Sequence, residues 1–90
     1  MIKIFKMNES DWVAGENIES CKKFLSKLVD IPEDEVIDEP YELSEKEIKK
    51  LIFIEDIYDK NSVKRTFKEE LELLIKKGEE FPCFFAATEY

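Results

Sequence analysis

The stretch IKIFKMNESDWVAG, residues 2–15, decides the fold. Its first part, IKIFKM, is rich in strand formers and apolar on both sides. Ile2 and Ile4 share one side, Phe5 and Met7 the other. That pattern predicts a strand covered on both faces. Asn8-Glu9-Ser10-Asp11 is turn chemistry, and Trp12-Val13-Ala14 reads as a second short strand. A four-residue polar link between two strands predicts a hairpin, so the domain is built on a sheet.

After Gly15 the periodicity changes. Ile18, Cys21, Phe24, Leu25, Leu28 and Val29 recur at steps of three and four, which predicts a helix ending near Val29. Asn17 stands as its N-cap, with Glu19 in the first turn. Pro32 opens a further short turn through Glu33, Asp34 and Glu35, with Asp30 as its cap. Ser44 and Glu47 form a capping box, so a helix from about Glu45 directs Ile48, Leu51 and Ile52 inward. LIFIEDIY, residues 51–58, fits a helix or a strand. Its β-branched and aromatic residues favour a strand from Leu51 to about Ile57. Asp59-Lys60-Asn61-Ser62 is a polar connection. Thr66 and Glu69 form a second capping box, and Phe67, Leu71, Leu74 and Ile75 make the inward stripe of the helix it opens. Gly78 is a natural residue to follow that helix. FPCFFAAT, residues 81–88, starts with a proline and is apolar on both faces, which predicts a central strand.

The expected order is β-β-α-(short α)-β-α-β. It describes a small α+β domain, a three- or four-stranded mixed sheet with two main helices packed on one face. Ninety residues make a single domain spanning 1–90, with one modest core. No apolar run approaches the roughly 18 residues that span a bilayer, and the N-terminus has no signal-peptide h-region. Both points predict a cytoplasmic protein without membrane contact.

The net charge is −8, and its placement is uneven. Residues 1–29 hold five Lys and four acids; residues 48–90 hold eight bases and nine acids. Residues 30–47 hold nine acids and only Lys46. The whole excess therefore lies in one acidic segment, 30–47. Such a segment repels a phosphate backbone, which argues against direct nucleic-acid binding, and it attracts a cationic partner.

Site chemistry is sparse. Histidine is absent, which removes the commonest general base and metal ligand. Cys21 and Cys83 lie in apolar runs and read as buried thiols rather than a disulfide or a nucleophile. An EF-hand frame starting at Asp59 puts Asn61 third and Glu70 twelfth. Val63 and Lys64 then stand where a ligand and a glycine belong. The only glycines are Gly15 and Gly78, so there is no phosphate-cradling loop. The expectation is no enzyme, no metal and no cofactor.

The acidic segment fits a solvated loop or a protein-binding face. Closely spaced carboxylates imitate a row of phosphates to a groove lined with Lys and Arg. Val36, Ile37 and Tyr41 among the acids supply apolar contacts that a solvating loop does not need. The candidate contact residues are Glu33, Asp34, Glu35, Asp38, Glu39, Tyr41 and Glu42.

MNESDWVAGENIESCKKF, TFKEELELLIKKGEEFP and FFAATEY resemble segments of short proteins encoded by phages and prophages of Gram-positive bacteria. The resemblance covers both ends of the chain and little of the acidic middle. That group has no established activity, so no functional residues carry over. It implies a context in which small acidic proteins bind host proteins, as anti-CRISPR and other anti-defence proteins do. The leading expectation is a non-enzymatic binder that inhibits a nucleic-acid-handling defence protein with a basic surface, inside the bacterial host. The alternative is a protein that sequesters a small molecule or nucleotide signal. It predicts a basic or aromatic pocket near Lys22, Lys23 or Trp12. A structural or interaction role of another kind is the third possibility.

Overall fold

The computed structural model describes residues 1–54 and 64–87. The chain is α+β and divides into two compact units, Met1–Leu43 with Glu80–Tyr90, and Ser44–Glu79. By sequence the first unit has thirteen acids against five Lys, and the second nine acids against nine bases. The entire net charge of −8 therefore belongs to the first unit.

The first unit is a four-stranded sheet with two helices. β1 (Lys3–Lys6) and β2 (Asp11–Gly15) form the expected hairpin, with Phe5 opposite Val13 and Lys6 opposite Trp12. β3 (Tyr41–Glu42) pairs with the free side of β1, and β6 (Cys83–Ala87) with β2. The order is β3-β1-β2-β6 and every pairing is antiparallel. The expected mixed sheet is thus purely antiparallel: β1 turns directly into β2, and the two later strands each run against a hairpin strand. Among the described residues β6 stands at the end of the order and not at the centre. Its apolar composition comes from burial of Phe85 and the small size of Ala86 and Ala87.

α1 (Ile18–Val29) packs on this sheet. The Asn17 side chain accepts from the Ser20 amide at its start, as expected. Cys21 and Leu25 are fully buried with Phe5, Met7 and Val13, and Ile18 and Phe24 pack around them. The stripe is buried only that far, for Leu28 and Val29 emerge from the core. Asp30 does not cap the next turn. It takes a left-handed conformation (φ 56°) and closes α1, its amide donating to the Ser26 carbonyl. α2 (Glu33–Val36) follows, opened by Pro32.

The second unit holds α3 (Glu45–Lys50), β4 (Ile52–Ile54), β5 (Lys64–Thr66) and α4 (Phe67–Lys76). Both capping boxes form, Ser44 with Glu47 and Thr66 with Glu69. The ambiguous segment resolves as a short helix and then a strand, β4, paired antiparallel with β5. Continuation of that strand to Ile57 and the polar link Asp59–Ser62 lie outside the described residues. The two main helices, expected on one sheet face, belong to different units. α1 packs on the four-stranded sheet, while α4 packs with α3, β4 and β5 of its own unit. Phe67, Glu70 and Leu71 are the buried positions of α4, and Ile75, expected inward, is half exposed.

Candidate functional site

The acidic segment is held in place by its backbone. Asn8, in the β1–β2 turn, accepts from the Ser10 and Asp11 amides at 2.8 and 2.9 Å. The same side chain donates to the Val36 carbonyl at 2.8 Å and to Asp11 Oδ2 at 3.0 Å. One residue thus shapes the hairpin turn and ties α2 to it. Two residues further on, the Asp38 amide donates to the Met7 carbonyl at 2.9 Å. The Leu43 amide donates to the Ile4 carbonyl at 2.9 Å, after β3 has joined the sheet. Val36 and Ile37 pack on the core of the first unit. A solvated loop has no need of this many attachments.

The structure separates the seven candidate residues. Glu35 and Asp38 line an open depression of about 470 Å³ between the β1–β2 turn and α2. Glu33 and Asp34 stand exposed on the first turn of α2. Glu39 occupies a left-handed position (φ 48°) in the turn before β3. Tyr41 is on β3, 44% exposed and opposite Lys6. Glu42 is engaged with Lys3 Nζ at 3.1 Å. Glu35 and Asp38 are therefore gathered, and the other five are spread along the same strip of chain.

The depression adds residues that the sequence did not suggest. Glu9 and Asp11 line it from the hairpin turn, with Asn8 and Ser10, and Ile31 and Val36 supply apolar wall. Counted along the chain, Glu9 and Asp11 belong to a stretch with a slight positive balance. Only the fold brings them beside Glu35 and Asp38. Four carboxylates thus share one depression, and no Lys or Arg is among its lining residues. No family model, curated protein or solved structure matches this chain. What the site does must be argued from its chemistry.

Among the described residues no group of three or more His, Cys, Asp or Glu is placed to hold a metal ion. No helix is long and apolar enough to cross a membrane. Neither cysteine is in a disulfide. Cys21 is fully buried, and burial pushes its thiol up to about 11, with a smaller push from Cys83. A thiol of this kind is almost wholly protonated at neutral pH and is a poor nucleophile. Two of the three residues named for a nucleotide pocket, Trp12 and Lys22, have partners within the chain. Lys6 lies over the Trp12 ring at 5.7 Å, and Lys22 pairs with Glu19 at 3.6 Å.

Proposed function

We propose that this chain is a non-enzymatic phage or prophage protein that binds and inhibits a nucleic-acid-handling defence protein of its bacterial host, such as a CRISPR effector. It acts in the host cytoplasm by presenting the first unit's carboxylates to a basic groove. The observation that carries this reading is the attachment of the acids. Asn8, the Asp38 amide and β3 hold them on a unit with a net charge of −8. Carboxylates fixed before binding lose little freedom on docking, so charge complementarity is retained as affinity. A groove that accepts them can no longer accept phosphates, which is the inhibitory step. The resemblance to phage and prophage proteins supports the setting. The buried, protonated Cys21 and the lack of histidine support a binding role over catalysis.

The test uses CRISPR effectors from Gram-positive hosts in a DNA-cleavage assay. The wild-type chain is compared with the variant Glu33→Gln, Glu35→Gln, Asp38→Asn, Glu39→Gln. The wild type inhibits cleavage by at least one effector, and its affinity falls with added salt. The variant folds but binds more weakly, by about 1–3 kcal/mol, with a shallower salt dependence. Equal inhibition by both proteins, or none across the panel, removes the proposal.

A further inference from the structure

The C-terminal end of α1 is an exposed apolar knob, and the fold holds it rigid. Leu28, Val29 and Ile31 are 55%, 40% and 39% exposed. Ile31 is fixed from both sides: its amide donates to the Ser26 carbonyl at 3.1 Å, and its carbonyl accepts from Ser26 Oγ at 2.6 Å. The left-handed Asp30 sets the angle between them. Three large aliphatic side chains within four residues, exposed and pre-ordered in a chain that is 40% charged, are a feature of contact surfaces. Ile31 also joins the knob to the depression, where it faces the same space as Glu9, Asp11, Glu35 and Asp38.

We propose that this knob is the apolar half of a docking surface for a basic amphipathic segment of a partner protein. The partner's aliphatic residues cover Leu28, Val29 and Ile31. Its Lys or Arg side chains extend their methylene stems along Ile31 and Val36 and put their charges among the four carboxylates. Charge complementarity selects this occupant. A second copy of the chain would bring another unit of −8 against the depression, and an acidic partner would be repelled in the same way. The inference rests on the proposed binding of a cationic partner, and it adds that the contact is apolar as well as electrostatic.

The experiment titrates the isotope-labelled full chain with two synthetic peptides of equal length and charge, one of Leu and Lys with helical amphipathic spacing, the other with Ser in place of Leu. The Leu/Lys peptide binds about tenfold tighter, from one or two buried aliphatic contacts. It shifts the methyl resonances of Leu28, Val29 and Ile31. Leu28→Ser and Ile31→Ser each remove most of that advantage, whereas Ile75→Ser, an exposed aliphatic of the second unit, changes nothing. Both peptides binding alike, with Ile31→Ser indifferent, overturns the apolar contact and leaves the cationic-partner reading standing. Failure of both peptides to bind at physiological salt overturns both. A dimer in sedimentation that Ile31→Ser dissolves assigns the knob to a second copy and overturns the proposal.

Discussion

Two single residues connect the core of the first unit to its surface. Asn8 spends all its hydrogen-bonding capacity on neighbours, and so makes α2 and the hairpin turn one piece. Cys21 does the equivalent in the core, where its Sγ fills the space left by Gly15. A Cβ on Gly15 would come within 2.6 Å of that sulfur and 3.2 Å of Pro82 Cβ. The Cys21 thiol also makes stability depend on pH. Its folded pKa, about 11, lies above the ordinary value of 9.0. The folded chain then keeps a proton that the unfolded chain releases. The stabilisation is present in full below pH 9 and is lost as pH rises from 9 towards 11. Denaturant unfolding across that window should show a fall of about 1–3 kcal/mol from this group. Cys21→Ala should lack that part of the fall while keeping whatever Lys and Tyr contribute. A wild type and variant with parallel pH profiles would show that the sulfur carries no such coupling.

At the scale of elements, the legible features were local and the illegible ones long-range. Asn17, Ser44 with Glu47, Thr66 with Glu69, and Gly78 (φ 78°) all act where the sequence placed them, because a cap needs partners only three residues away. β3 and the end position of β6 could not be read, since each depends on a strand tens of residues distant. The same limit hid Glu9 and Asp11 as lining of the depression, and the exposure of Leu28 and Val29 at the end of the apolar stripe. The acidic segment's charge was plain from composition, but its attachments were not, because they run through Asn8 and Met7 on the hairpin. In the second unit, the β5–α4 corner is closed by Arg65, which pairs with buried Glu70 and lies 5.7 Å from the Phe53 ring. Arg65→Leu strands the Glu70 carboxylate in that corner and should cost about 2–4 kcal/mol in chemical denaturation. The double variant with Glu70→Leu should regain much of the loss, as two apolar groups need no partner. A double variant as unstable as the single one would place the cost in Arg65 packing on Phe53 instead.

For the molecule as a whole, the placement of charge pulls against stability. One unit carries −8 while the other is neutral, so like charges crowd a single surface. Glu35→Gln with Asp38→Asn should therefore stabilise the isolated protein by about 0.3–1 kcal/mol at low salt, while weakening the partner binding proposed above. Thermal unfolding checks this: the wild-type Tm should climb with added salt, and the variant's should climb less. Identical slopes would mean that the depression's carboxylates are too far apart, or too well hydrated, to repel one another.

The division into units also sets how far along the chain each one must reach for its parts. Residues 44–79 are contiguous, whereas the sheet of the first unit draws its last strand from Cys83–Ala87. The β2 edge near Val13 and Ala14 therefore closes only when Cys83–Ala87 is free to pair with it. A chain truncated before Cys83 would leave that edge bare to proteases. The acidic surface is thus displayed on a finished sheet only when Cys83–Ala87 has joined it.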